Sequence, residues 1–317
     1  MKSVQRSRMK VLLALCPLLA VSAAMAQIAS DNSDTHAIIG ARAGGLGDSY
    51  VADEVEPMVM YWNPAALVKT GHQLLSLNTA LEINEFNDKL LTENVTLPLR
   101  AARGWGFGLG VTLTHDASIT DTSPLTGLDV SLFKFDAAIA RSIDEALSFG
   151  GDLSVRYGKG GGSSATAFSG TFGLYYSPDP IFSYGVSLQG VGEGIDFTAE
   201  DGRTVINKGT MLKSLQSGLT VRSFYRDMRV ITLTMTVQKV FTHADLIYKG
   251  GIEVLPVPFL SLRIGYWVGP DSRAARYGGG LVLGDFVIDY AVAPSKFEPR
   301  FHQLSISYDL QPRSRGR

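Results

Sequence analysis

Residues 231–238 read Ile231-Thr232-Leu233-Thr234-Met235-Thr236-Val237-Gln238, an unbroken alternation of apolar and polar side chains. A period of two puts Ile231, Leu233, Met235 and Val237 on one face of an extended strand and the three threonines with Gln238 on the other. A helix would scatter both sets around its circumference, so the stretch reads as a strand with one apolar and one polar side.

The same pattern recurs on both sides of it. Leu147, Phe149, Leu153, Val155 and Tyr157 alternate with Ser148, Gly150, Asp152, Ser154 and Arg156, and Phe182, Tyr184, Val186 and Leu188 alternate with Ser183, Gly185, Ser187 and Gln189. Leu260 to Val268 and Gln303 to Leu310 repeat it. Counted from Gln73 to Leu310, such stretches give about fourteen strands of roughly 9 to 12 residues, the length a tilted membrane strand requires and longer than soluble strands usually run. Beyond the first residues, no apolar run approaches the ~18 needed for a spanning helix. The predicted fold is all-β, a transmembrane antiparallel β-barrel over residues 73–310.

The connections agree with this reading. If the first strand runs outward, the links 115–126, 158–164, 193–212 and 294–299 fall at the outer end, and 177–180, 225–227, 255–258 and 284–285 fall at the inner end. The inner set is short and carries Pro178, Pro180, Pro256, Pro258 and the Gly284-Asp285 pair, which suit turns rather than ladder positions. Bacterial barrels have short periplasmic turns and longer outer loops. Trp105, Tyr157, Tyr176, Tyr184, Tyr266, Trp267 and Tyr308 fall mostly near strand ends, where an interfacial girdle would lie. Glu82, Lys134, Asp136, Asp152, Arg156, Arg222, Arg263 and Asp289 stand opposite apolar neighbours and are therefore expected in the lumen. Both signs are present, so the set suits bracing of a plug or lining of a water-filled path better than a single-sign selectivity ring.

Ahead of the strands, Lys2, Arg6, Arg8 and Lys10 precede the apolar run Val11–Val21 and the small-residue site Ala24-Met25-Ala26. This is the layout of a secretory signal peptide over residues 1–26, cleaved near Ala26. Removing it takes away Cys16, the single cysteine, and leaves neither a disulfide framework nor a thiolate site. Residues 27–72 include the glycine-rich stretch Gly40 to Leu67 and read as a plug, and residues 311–317 form a basic tail. The 317 residues carry a net charge of −1, which gives no basic excess for nucleic acid. The five histidines come with no serine-nucleophile motif, and Gly158 to Gly162 lacks the spacing of a phosphate loop, so no catalytic, metal or cofactor site is expected.

Ala41-Arg42-Ala43 through Gly47, followed by Tyr61-Trp62-Asn63-Pro64-Ala65, resembles the N-terminal signature of the PorV/PorQ family and is similar to the plug of FadL-type channels for hydrophobic compounds. Gly278-Gly279-Gly280-Leu281, Gly284-Asp285-Phe286, Asp289-Tyr290-Ala291 and Leu304-Ser305-Ile306-Ser307 resemble the closing strands of the same group. The resemblance implies a fourteen-stranded barrel with the N-terminal block inside it, and a plug motif of Arg42, Gly47, Trp62, Asn63, Pro64 and Ala65. The chain departs from the pattern at Glu56-Pro57-Met58-Val59-Met60, where the family usually has smaller and more acidic residues. The PorV/PorQ resemblance implies an outer-membrane protein, embedded in outer-membrane lipids, that binds secreted proteins or secretion-system components in type IX-like secretion. The FadL resemblance implies the alternative, passive uptake of a hydrophobic small molecule.

Overall fold

The computed structural model describes residues 39–70, 74–83, 89–101, 104–116, 131–160, 163–192, 195–199, 205–209, 213–226, 228–241, 245–269, 273–294 and 300–310. The expected signal peptide over residues 1–26, its expected cleavage near Ala26 and the basic tail over 311–317 lie outside these residues.

Among the described residues sixteen strands follow one another: β1 (Leu74–Ile83), β2 (Lys89–Ala101), β3 (Trp105–Asp116), β4 (Ser131–Ser142), β5 (Leu147–Gly160), β6 (Ser163–Tyr176), β7 (Phe182–Gly192), β8 (Ile195–Ala199), β9 (Val205–Gly209), β10 (Ser214–Tyr225), β11 (Met228–Val240), β12 (Leu246–Val257), β13 (Leu260–Val268), β14 (Arg273–Leu283), β15 (Phe286–Ala293) and β16 (Arg300–Asp309). Fourteen of them form the wall. Each pairs antiparallel with the next, β10 takes its place beside β7, and β1 closes on β16 from Leu74↔Asp309 to Ile83↔Arg300. Closure leaves no free edge, the condition for crossing a bilayer with strands. Wall strands run from 8 residues in β15 to 14 in β5 and β6.

The remaining two strands correct the sequence reading. Residues 193–212 are not simply a connection: β8 and β9 form a hairpin within them, and β8 pairs with Ser163–Thr166 of β6, prolonging the wall past the long-loop rim. With five residues each, they are too short for period two to stand out from loop sequence.

Alternation sorts the two faces as the sequence requires. Met235 is 64% exposed and Thr232 0%, and the rest of 231–238 follows suit. Short turns are fixed locally: Asp144 Oδ1 accepts from the Ala146 and Leu147 amides, Asp179 Oδ1 accepts from the Ile181 and Phe182 amides, and Gly284 takes φ +65°. The β12–β13 register slips between Val254 and Val257, where Pro256 has no N–H to give the ladder.

Residues 39–70 fill the lumen. They contain helix α1 (Ala41–Gly45), helix α2 (Val59–Trp62) and a 3₁₀ turn over Pro64–Val68, nearly all of it buried. Their apolar side chains, Leu46, Tyr50, Met58, Val59, Met60, Tyr61 and Trp62 among them, make a core inside a wall that is otherwise hydroxyl- and amide-rich. The bulky Met58-Val59-Met60 is part of this core. Backbone meets backbone where the wall carries glycine: a Cβ on Gly106 would lie 2.9 Å from the Leu67 carbonyl carbon, and one on Gly150 would lie 2.7 Å from the Ala65 nitrogen. Inward glycines let the plug approach the strands more closely than any side chain would permit.

Candidate functional site

Two of the plug's anchors to the wall are drawn from the motif. Asn63 sits extended at φ −155°, its Oδ1 accepting from the Ala65 amide at 3.1 Å while Nδ2 donates to the carbonyls of Val51 and Leu174 at 2.9 Å. It thereby caps the 3₁₀ turn, whose first residue is Pro64, and ties plug to β6. Trp62 packs edge-on to Tyr50 with centroids 6.4 Å apart, and Ala65 is fully buried. Gly47 takes φ +69° and lies against the Tyr266 backbone, where a Cβ would fall 2.7 Å from the Tyr266 nitrogen.

The second anchor is Arg42. Its guanidinium donates to both Glu253 carboxylate oxygens at 3.0 and 2.9 Å, to Tyr50 Oη at 2.8 Å and to Asp53 Oδ2 at 2.8 Å. Glu253, on β12, is fully buried and also receives Arg263 Nε at 2.7 Å and Arg229 at 3.2 Å. Arg263 extends the chain of pairs to Asp289 at 2.6 Å, and Arg222 reaches Glu54 at 2.6 Å and Asp53 at 3.5 Å. Burial alone would push the Asp53 carboxyl up, but Arg42, Arg222 and Arg229 outweigh it and hold Asp53 below its ordinary value. Glu56 behaves oppositely. Burial, reinforced by the nearby Asp289 charge, pushes it up to about 8, and its Oε1 has no hydrogen-bond partner among the described residues.

The eight charges expected in the lumen lie on inward positions, seven of them in two groups and Glu82 apart from both. Arg222, Arg263 and Asp289 belong to the network around Arg42. On β4 and β5, Lys134 pairs with Asp136 at 2.7 Å and lies over the Tyr61 ring at 4.9 Å, while Ser154 Oγ donates to Asp136 and Asp152 and Arg156 stands beside Lys134 in register. Glu82 is half-buried near the long-loop end of β1.

The sequence reading missed Glu253, Arg229 and Arg276 on the wall and Asp48, Asp53, Glu54 and Glu56 in the plug. Glu253 lies between outward Ile252 and Val254, so the alternation that found Arg263 would have found it. The plug acids have no periodic signal to reveal them; Asp48, paired with Arg276 at 2.5 Å, stands in the left-handed region at φ +57°.

Between plug and wall at the short-turn end lies a cavity of about 150 Å³. It is lined by Arg42, Glu56, Glu253, Arg263 and Asp289 and by apolar side chains including Val55, Leu255, Phe259 and Val282.

No protein-family model matches the chain. No curated protein matches it in sequence. Solved structures share the fold. The toluene transporter TbuX of Ralstonia pickettii superposes with a TM-score of 0.64 at 13% identity, covering 86% of this chain and 98% of that one. The P. putida toluene transporter TodX gives 0.61 at 12% identity, covering 85% and 98%. A Pseudomonas aeruginosa FadL homologue gives 0.56 at 11%, covering 91% and 100%.

Proposed function

We propose that this chain is a non-enzymatic channel of the Gram-negative outer membrane that admits a hydrophobic small molecule by passive uptake. The observation that carries the reading is a fourteen-stranded barrel whose lumen is occupied by a folded, ion-paired plug. A lumen so filled does not suit free diffusion of polar solutes, whereas an apolar solute has less need of a continuous water column. Support also comes from the likeness in fold to two toluene transporters and a FadL homologue. The secretion role implied by the PorV/PorQ resemblance draws no support from these likenesses. On the proposed reading, the plug motif and the inward charges hold the plug in place and set how readily it yields.

Mass spectrometry of everything that co-purifies with the full chain from native outer membrane in mild detergent separates the two readings. A bound apolar molecule without a stoichiometric protein partner supports uptake. Secreted proteins or secretion components in stoichiometric amount would overturn it in favour of anchoring.

A further inference from the structure

The cavity at the short-turn end carries one polar group that seating the plug does not use. Its arginines are committed: Arg42, Arg229 and Arg263 all pair with Glu253, and Arg263 pairs with Asp289 as well. Ser261 Oγ accepts from Arg263 at 2.7 Å, and Ser307 Oγ shares a hydrogen bond with Ser76 Oγ at 2.6 Å. Of the buried polar side-chain atoms in the lining, Glu56 Oε1 is the one with no hydrogen-bond partner among the described residues. Glu56 is only 5% exposed, and a buried oxygen without a partner costs free energy that a guest able to bond it would recover. Burial, reinforced by the Asp289 charge, pushes this carboxyl up to about 8, so it stands protonated at neutral pH. In that form it presents a donor and an acceptor and no charge.

The rest of the lining limits the guest's size and character. A space of about 150 Å³ is of the order that holds a single benzene-sized ring, and Val55, Leu255, Phe259 and Val282 offer such a ring apolar contact. We propose that this cavity is a binding site for a small neutral alcohol or phenol of one ring, its hydroxyl bonded to Glu56 Oε1 and its ring against the apolar lining. A hydroxyl both donates and accepts, so it serves Oε1 whichever carboxyl oxygen carries the proton. A hydrocarbon of the same size would fill the space and shut Oε1 away from every partner, water included. An ammonium guest would have to strip the proton from Glu56 or draw an arginine off Glu253 or Asp289, and Asp285 stands half-buried in the turn, where water weakens a pair. A carboxylate guest would meet Glu253 and Asp289 with the guanidiniums already engaged. The inference does not rest on the uptake reading, because the site would be present equally in an anchoring barrel. In barrels of this class the short-turn end faces the periplasm, so the site is placed to meet solutes of that compartment.

Fluorine NMR titration of the purified full chain in detergent at neutral pH tests it, with para-fluorinated benzyl alcohol, toluene, benzylamine and benzoate as probes and protein-free micelles as the blank for partitioning. Saturable binding of the alcohol, at least about tenfold tighter than any other probe, is expected. Glu56→Gln keeps an uncharged donor and acceptor and should hold the alcohol within about threefold of the parent, whereas Glu56→Met should weaken it at least about tenfold and bring it level with the toluene probe. Val282→Trp, which fills the space and leaves Glu56 in place, should abolish saturable binding of every probe. The substitutions are read in variants that keep the heat-modifiable migration of the barrel, and Val282→Trp with the probe series on the parent chain provides the test if the Glu56 variants do not fold. Toluene or benzylamine bound as tightly as the alcohol, an alcohol preference that survives Glu56→Met or is lost in Glu56→Gln, binding indifferent to Val282→Trp, or no saturable binding of any probe would overturn the assignment.

Discussion

Replacing Arg42 by methionine removes the cation on which the plug network converges while keeping most of the side-chain volume. Arg42 is 2% exposed and donates four hydrogen bonds, two to Glu253, one to Asp53 and one to Tyr50. Breaking a buried ion pair by deleting one partner costs about 3–5 kcal/mol, because the remaining charge is left uncompensated. Here each anion keeps a cation: Glu253 retains Arg263 at 2.7 Å and Arg229 at 3.2 Å, and Asp53 retains Arg222 at 3.5 Å. The loss therefore belongs at the low end, about 3 kcal/mol, which is on the order of a hundredfold in the ratio of seated to released plug. The wall is held by backbone ladders that Arg42 does not touch, so the barrel should remain heat-modifiable. Limited proteolysis under native conditions reads the plug directly, since cleavage tracks the open population when opening and closing are fast. Cleavage within residues 39–70 should rise by about two orders of magnitude in Arg42→Met. Arg42→Lys, which keeps the charge and loses the fork, should fall between. A variant plug as resistant as the parent would refute the claim that this network seats it.

Two further outcomes follow from the packing and the charges. Gly110→Ala places a Cβ on the Tyr61 hydroxyl, which also accepts from Asn94 at 2.8 Å, and should destabilise the plug by about 1–3 kcal/mol in the same proteolysis assay, with Tyr61→Phe in the same chain relieving part of the loss. Glu56 has its carboxyl raised from 4.5 to about 8, so the seated plug holds a proton that the released plug gives up between those values. Plug stability should accordingly fall as pH rises from 4.5 towards 8 and level off above it, and Glu56→Gln should flatten that part of the profile; protease resistance followed across this range checks the sign.

The wall was legible because a barrel strand repeats one simple rule, apolar to lipid and polar to lumen, over the full span of the membrane. Ile231 to Gln238 obeys it without exception, and the turns at Asp179 and Gly284 carry their own chemistry. The plug obeys no such rule. Its helices are five and four residues long, too short for a 3.6-residue period, and its core forms from Tyr50, Met58 and Trp62 only when the wall encloses them. Arg42 and Asn63 could be marked from resemblance, but their partners could not. Glu253 is separated from Arg42 by 211 residues, and Leu174 from Asn63 by 111. The β8–β9 hairpin escaped for a related reason, since its pairing with β6 depends on where the rim ends and not on local pattern.

If apolar solutes enter through this plugged barrel, the rate at which labelled solutes enter cells will show it. Cells producing the full chain would be compared with vector-only cells for toluene, a long-chain fatty acid and a small sugar. Faster entry of at least one apolar solute, with no gain for the sugar, is expected of cells producing the chain. Equal rates for all three solutes with and without the chain, or a gain for the sugar alone, would contradict it.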